Sequence, residues 1–241
     1  MMFDWVYLCC NRWMLDFFLE VLPPIAGLRK IIVIANADGV TTNDPRCEVI
    51  RYDGPAHAYS LYVKLDLTRF TDIDMLYSDD DVICLRDPEY LGVRWCTGSH
   101  LDQLGVSDRD MCLCRMLSDV FEIEYTPLMS GCDAGIWYLT RDLKEELNLA
   151  VAKFFEHPLF NLVYDKPNSN WYRTIDQRIL SGLFNKHKYD FIKSTRDIKV
   201  MYSLQCTIPR TNFPTFYHYG CSSHKREMAR RLRDKYVVKV T

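Results

Sequence analysis

Three consecutive aspartates, Asp79, Asp80 and Asp81, stand between two apolar runs in residues 74–88, DMLYSDDDVICLRDP. Met75, Leu76 and Tyr77 lead in, and Val82, Ile83, Cys84 and Leu85 lead out. Residues 74–85 therefore read as one buried strand, ended by turn chemistry at Asp87-Pro88. Three carboxylates in such a place repel one another and lose hydration, a cost that a bound cation relieves. In extended backbone Asp79 and Asp81 point to one side and Asp80 to the other. The alternate pair makes a clamp for a hard divalent ion, with coordination positions left for phosphate oxygens. The competing reading is a solvated acidic turn, and the apolar sequence on both sides argues against it.

A chain of 241 residues can bury a full core, and a single α/β domain accounts for its length. A net charge of -2 and 48% hydrophobic residues describe an ordinary globular protein and call for no nucleic-acid partner. Ten cysteines are scattered without a Cys-x-x-Cys, which argues against structural zinc. Several lie in apolar strands, where a thiol packs as a small hydrophobe. Reduced thiols and a cytoplasmic location are expected, with neither a signal peptide nor a membrane span.

The elements around the clamp alternate. Residues 5–10 read as a first strand, and Asn11 as the cap of a helix through Trp13, Phe17, Phe18 and Val21 that Pro23-Pro24 stops. Strands follow at 31–35 and 47–52, then a helix from Pro55 through Tyr59, Tyr62, Val63 and Leu67. This alternation implies a mostly parallel sheet covered on both faces, with ligands at the carboxyl ends of its strands. Beyond it, 95–97 and 135–139 read as strands, 102–118 as loop plus helix, and 142–156 as a helix ended by His157-Pro158. Residues 161–173 read as a loop, 174–184 as a helix, 215–219 as a last strand, and the basic stretch from 222 as a helix.

Several residues carry two readings. Lys64 is an exposed helix lysine or a point charge for phosphate. Thr174 and Gln177 fit a capping box, and Asp176 suits the first turn of a helix, so both can be structural. His218 is a satisfied histidine or a ligand. Asp72-x-Asp74 precedes the strand and reads as a turn.

The order of these motifs resembles the glycogenin-like retaining glycosyltransferases, the family numbered eight, whose fold is called GT-A. The segment 79–85 is similar to that family's Asp-x-Asp segment, and Lys64 to a basic position that contacts the sugar nucleotide. Asp133-Ala134-Gly135 resembles its Asn-Ala-Gly stretch, with Asp133 in place of Asn. Asp176-Gln177 matches its Asp-Gln pair, and His218-Tyr219-Gly220 its late histidine segment, one residue short and followed by Lys225 without Pro-Trp. The resemblance implies a single GT-A domain: a nucleotide-binding half at 1–97, a sugar and acceptor half at 98–221, and a basic helix at 222–241. It further implies Asp79, Asp81 and His218 as ligands of Mn2+ or Mg2+. Cys9, Asn11, Lys64, Asp79, Asp80, Asp81, Ala134, Gly135, Gly220 and Lys225 then bind a UDP-sugar donor, and Asp176, Gln177 and Asp133 face the reacting sugar. The implied reaction moves a hexose from UDP-glucose or UDP-galactose to a hydroxyl with retention, the ion offsetting the charge of the leaving diphosphate. An imidazole among oxygen ligands suits manganese better than magnesium or calcium.

The acceptor is a saccharide or lipid-linked glycan, or a hydroxylated base in nucleic acid, and the basic tail suits phosphate or an anionic membrane as well as bulk water. Two other classes stay open: a non-catalytic nucleotide- or nucleic-acid-binding module, and a metal-dependent nuclease. A sugar-nucleotide pyrophosphorylase is disfavoured, because Cys9-Cys10-Asn11-Arg12 stands where a glycine-rich loop would follow the first strand.

Overall fold

The computed structural model describes residues 2–36, 39–52, 64–66, 69–99, 107–164, 174–192, 198–200, 215–219 and 225–236. Seven strands form the main sheet in the order β3-β2-β1-β4-β7-β6-β8. They are β1 (Phe3–Cys9), β2 (Leu28–Ala35), β3 (Cys47–Arg51), β4 (Asp74–Ser78), β6 (Trp95–Ser99), β7 (Gly131–Leu139) and β8 (Asp190–Ile192). Strands β1 to β4 run parallel, β7 lies antiparallel between β4 and β6, and β8 is parallel to β6.

Alternation along each strand sorts the core. On β1, Val6 and Leu8 face one way, into a cluster completed by α2 (Asp108–Phe121), α3 (Leu143–Glu156), α4 (Phe160–Val163) and α5 (Ile175–Lys186). Trp5, Tyr7 and Cys9 face the other way, against Leu15 and Phe18 of α1 (Arg12–Val21). Every residue of β1 is buried, as a strand covered on both faces requires. Its single charge, Asp4, is held by two hydrogen bonds from Arg29, at 2.8 and 2.6 Å. The Trp5 indole N–H, buried with it, donates to Ser78 Oγ at 2.8 Å.

The stretch 74–85 is not one strand. It leaves the main sheet after Ser78, turns through the three aspartates, and enters a second sheet as β5 (Val82–Cys84). There β5 pairs antiparallel with β10 (Phe216–His218), which runs parallel to β9 (Ile198–Val200). The apolar runs on either side of the aspartates thus belong to two sheets, a division that hydrophobic pattern alone does not reveal. Against this second sheet packs α6 (Lys225–Tyr236), whose Met228 and Leu232 join Phe17, Ile83, Tyr217 and Tyr219.

Other expectations shift in detail. Strand β7 begins four residues before 135, and β8 and β9 come as additions. Asn11 caps α1 only through its backbone carbonyl, and the Thr174 side chain makes no cap hydrogen bond. A full capping box forms instead at Ser107 and Asp110. The helix expected from Pro55 falls mostly outside the described residues, of which Lys64 and Leu65 are helical. Most of the expected 161–173 loop falls outside them too, and its start belongs to α4. Among the described residues no helix is long and apolar enough to cross a membrane, and eight cysteines are free.

Buried thiols give the fold an alkaline limit. Cys9, Cys84 and Cys132 are fully buried, and burial pushes Cys9 up to about 12 and the other two well above the ordinary value of 9.0. Above pH 9 an unfolded thiol ionises while its folded counterpart stays neutral. This contribution to stability is therefore complete below that pH and is lost as pH rises toward the folded values. Each thiol costs about 1.4 kcal/mol per pH unit in that window. Lys144, which donates to the carbonyls of Thr71 and Ile73, opposes the trend: burial lowers it to about 8 from 10.5. Its gain, at most about 3 kcal/mol, is nearly complete by pH 10.5. The buried phenols of Tyr7, Tyr138, Tyr164, Tyr189 and Tyr219, also raised by burial, add to the loss, so a net loss of at least about 3 kcal/mol between pH 10 and 11 is expected by urea denaturation. A flat profile would mean that these thiols and phenols are open to solvent in the folded chain.

Candidate active site

The aspartate turn sits at the carboxyl end of β4. The Asp79 amide donates to the Gly135 carbonyl of β7 at 2.9 Å, and the Val82 amide closes the turn onto the Asp79 carbonyl at 3.2 Å. The hydroxyls of Tyr7 and Tyr219 both donate to the Asp80 carbonyl, at 2.9 and 3.4 Å. One tyrosine comes from β1 and the other follows β10, so the turn is fastened to both sheets. In the sequence Tyr7 looks like an ordinary core aromatic, and Tyr219 enters only as the neighbour of His218.

Pairing across the second sheet brings the histidine in. His218 stands opposite Val82, and the next amide, of Tyr219, donates to the Asp81 carbonyl at 2.8 Å. The His218 Nε2 atom lies 3.2 Å from Asp81 Oδ1, and Nδ1 lies 3.6 Å from Asp133 Oδ2. Lys225, at the start of α6, donates to Asp81 Oδ2 at 2.7 Å and stands 4.0 Å from Asp80 Oδ1. On the other side Lys64 Nζ lies 3.1 Å from Asp79 and 3.2 Å from Asp176 Oδ2. Tyr77 completes this half by donating its hydroxyl to Asp79 Oδ1 at 2.5 Å.

The three carboxylates thus diverge, although the backbone between them is a turn and not a strand. Asp79 and Asp81 share the histidine's side, while Asp80 accepts from the Cys10 amide at 3.1 Å. Burial raises Asp79, and the charge of Asp81 adds to the effect. Burial and Asp81 likewise raise Asp80 to about 6. Burial alone would also raise Asp81, but His218 and Lys225 outweigh it and hold Asp81 below its ordinary value. Burial would lower His218, yet Asp81 and Asp133 raise it well above the ordinary value. The same competition raises Lys64, where Asp79 and Asp176 outweigh burial, and lowers Asp133 through His218.

The donor set fits a divalent cation. One ligand atom from each of Asp79, Asp81 and His218 lies within 4.8 Å of the others. Asp81 Oδ1 and His218 Nδ1 are buried without an aligned hydrogen bond, so the 3.2 Å contact of Asp81 with His218 is a charge pair.

The other expected residues divide. Asp176 is buried in the first turn of α5, and Gln177 beside it is half-buried. Ala134 is buried and Gly135 lies against the histidine. The Cys9 thiol, by contrast, is buried and donates to the Asn11 carbonyl at 3.4 Å, while Asn11 is exposed. What this corner offers the turn is the Cys10 amide. Gly220 lies outside the described residues. Asp72 meets Arg29, and Asp74 accepts from the Arg141 amide and the Tyr138 hydroxyl, apart from the cluster.

Gly135 leaves the histidine its place. A Cβ there would stand 2.7 Å from His218 Cε1 and 3.1 Å from Nδ1. Gly135→Ala is expected to displace the ring and to weaken at least tenfold whatever divalent-cation binding the three ligand residues support, with the far-ultraviolet circular dichroism unchanged. An unchanged divalent-cation affinity in this variant would show that the ring is not a ligand.

No family model and no curated protein matches this chain. Solved structures do. The galactosyltransferase LgtC, in complex with donor and acceptor sugar analogues, superposes with a TM-score of 0.50 at 18% identity, over 99% of this chain and 96% of that one. An active-site mutant of LgtC gives 0.51 at 16% identity, over 96% and 95%. The bifunctional glycosyltransferase WbbM in its apo form gives 0.53 at 12% identity, over 91% of this chain and 46% of the other. At such identities the likeness speaks for architecture, and this chain has the GT-A glycosyltransferase fold.

Proposed function

We propose that the protein is a metal-dependent glycosyltransferase that moves a hexose from UDP-glucose or UDP-galactose to a hydroxyl group with retention. The observation that carries this reading is the Asp79, Asp81 and His218 group, partly buried at Asp79 and buried at the other two, at a strand's carboxyl end and flanked by two lysines. These three residues would hold Mn2+, or Mg2+ with less preference. When bound, the ion supplies charge compensation for a diphosphate leaving group. Lys225 and Lys64 add ammonium groups at opposite edges of the cluster, each a point charge for phosphate oxygen. Asp80 binds the Cys10 amide and keeps the corner between β1 and α1 against the turn.

Asp176 and Gln177, opening α5, are assigned to the donor sugar. Asp176 is buried with Oδ1 unpartnered and Oδ2 toward Lys64, which fixes the carboxylate beside the ion site. The division into halves at 1–97 and 98–221 follows the same reading, with Lys225 assigned to the diphosphate side. The free thiols suit a reducing cytoplasm.

A glycan acceptor is favoured over nucleic acid because the basic helix α6 meets partners within the fold. Arg233 pairs with Glu20 at 2.9 Å, Arg230 with Glu227 at 2.7 Å, and Arg226 lies over the Trp13 ring. A panel of nucleotide sugars tests the proposal, scored by manganese-dependent release of UDP with and without saccharide acceptors. Turnover of UDP-glucose or UDP-galactose is the expected result. Binding without turnover would replace the enzyme with a binding module, and manganese-dependent DNA cleavage would replace it with a nuclease.

A further inference from the structure

Asp133 lies outside the group of three ligands, and it faces the far side of the histidine. Its Oδ2 is 3.6 Å from His218 Nδ1, the ring nitrogen turned away from Asp81. That nitrogen is buried and has no aligned hydrogen bond. The other carboxylate oxygen, Oδ1, accepts from the Gly135 amide at 3.1 Å, which fixes the group's direction. Gly135 in turn presses against the ring edge: a Cβ there would stand 2.7 Å from Cε1 and 3.3 Å from Asp133 Oδ1.

The backbone is shaped for this contact. Pairing of β6 with β7 shifts between Cys96 and Thr97, whose partners are Trp137 and Asp133. The bulge carries residues 134–136 out of that ladder, as bulges that re-aim side chains do. Thr97 Oγ1 donates to the Ile136 carbonyl at 2.5 Å and satisfies a group the broken ladder leaves behind.

We propose that Asp133 is a positioning residue for the metal-ligating imidazole. The carboxylate, 3.6 Å away in the metal-free chain, would accept Nδ1–H once the ring is held by an ion, fixing its rotation and tautomer and leaving Nε2 toward Asp81 and the ion. This assignment rests on the proposed metal site, and it gives Asp133 a role other than contact with the sugar. It also makes a statement about selectivity. A well-oriented imidazole favours manganese over magnesium, whereas a negative charge by itself favours both cations alike.

Affinities for Mn2+ and Mg2+ alone, measured by calorimetry without nucleotide, separate the two roles. Asp133→Ala removes the acceptor, and Asp133→Glu keeps the charge but lengthens the arm. Both variants are expected to lose manganese affinity about tenfold or more, with a smaller loss for magnesium. Equal losses of both ions in Asp133→Ala, with unchanged affinities in Asp133→Glu, would reduce Asp133 to a charge and overturn the inference alone. Failure of the wild-type chain to bind manganese would overturn the proposed function with it. Circular dichroism of the metal-free variants keeps loss of fold apart from loss of ligand, and Asp133→Glu carries the test if Asp133→Ala does not fold.

Discussion

Asp81→Ala is expected to lower manganese-dependent release of UDP by roughly three orders of magnitude. Asp81 is the point where both halves of the site meet: it faces His218 at 3.2 Å and Lys225 at 2.7 Å. Its removal takes one of two carboxylate ligands from the proposed ion and also frees Lys225 from its closest partner. The second readout is thermal. A ligand present at a hundred times its dissociation constant stabilises a folded chain by about 2.7 kcal/mol. Manganese should therefore raise the wild-type unfolding temperature and leave Asp81→Ala nearly unmoved. The metal-free variant should still fold, because Lys225 is more than a third exposed and can turn to water. If activity vanished while the manganese shift persisted, Asp81 would have a role other than holding the ion.

Lys64→Met should be the most destabilising of the site substitutions, by about 3–5 kcal/mol. Lys64 is 5% exposed and its ammonium pairs with two carboxylates, half-buried Asp79 and buried Asp176. Methionine keeps much of the volume, so the loss reports the uncompensated charge and not a cavity. Urea denaturation of the metal-free protein measures it. Two rescues follow from the same geometry. Asp176→Asn in the Lys64→Met background should restore part of the loss, and manganese should stabilise the single variant, since the ion supplies positive charge to Asp79. A cost below about 1 kcal/mol would place Lys64 in solvent, where an ion pair contributes little.

Much of this site could be read from one dimension because its chemistry is local. Asp79, Asp80 and Asp81 are adjacent, and their repulsion on burial follows from residue type alone. The alternation of strands and helices up to 85 likewise follows from short-range pattern, and it placed the carboxylates at a strand's carboxyl end. Resemblance added His218, Lys64, Asp133 and Asp176, which the structure brings within one cluster. Other features depend on contacts that no local pattern encodes. The split of 74–85 between two sheets was hidden because a buried strand and a strand–turn–strand have the same hydrophobic profile. The fastening of Asp80 by Tyr7 and Tyr219 was hidden because a core tyrosine does not announce where its hydroxyl points. The bulge that sets Asp133 against His218 arises from a mismatch between β6 and β7, visible only once the two strands are paired.

The sequence by itself determined which groups can hold a cation and a diphosphate, because charge, donor type and burial are properties of residues and their near neighbours. Tertiary structure alone decided which of them meet. His218 reaches Asp81 across 137 residues through the pairing of β10 with β5, and Lys64 reaches Asp176 across 112. The reason is physical: metal affinity and charge compensation depend on distances of a few ångströms, and sequence separation carries no such scale.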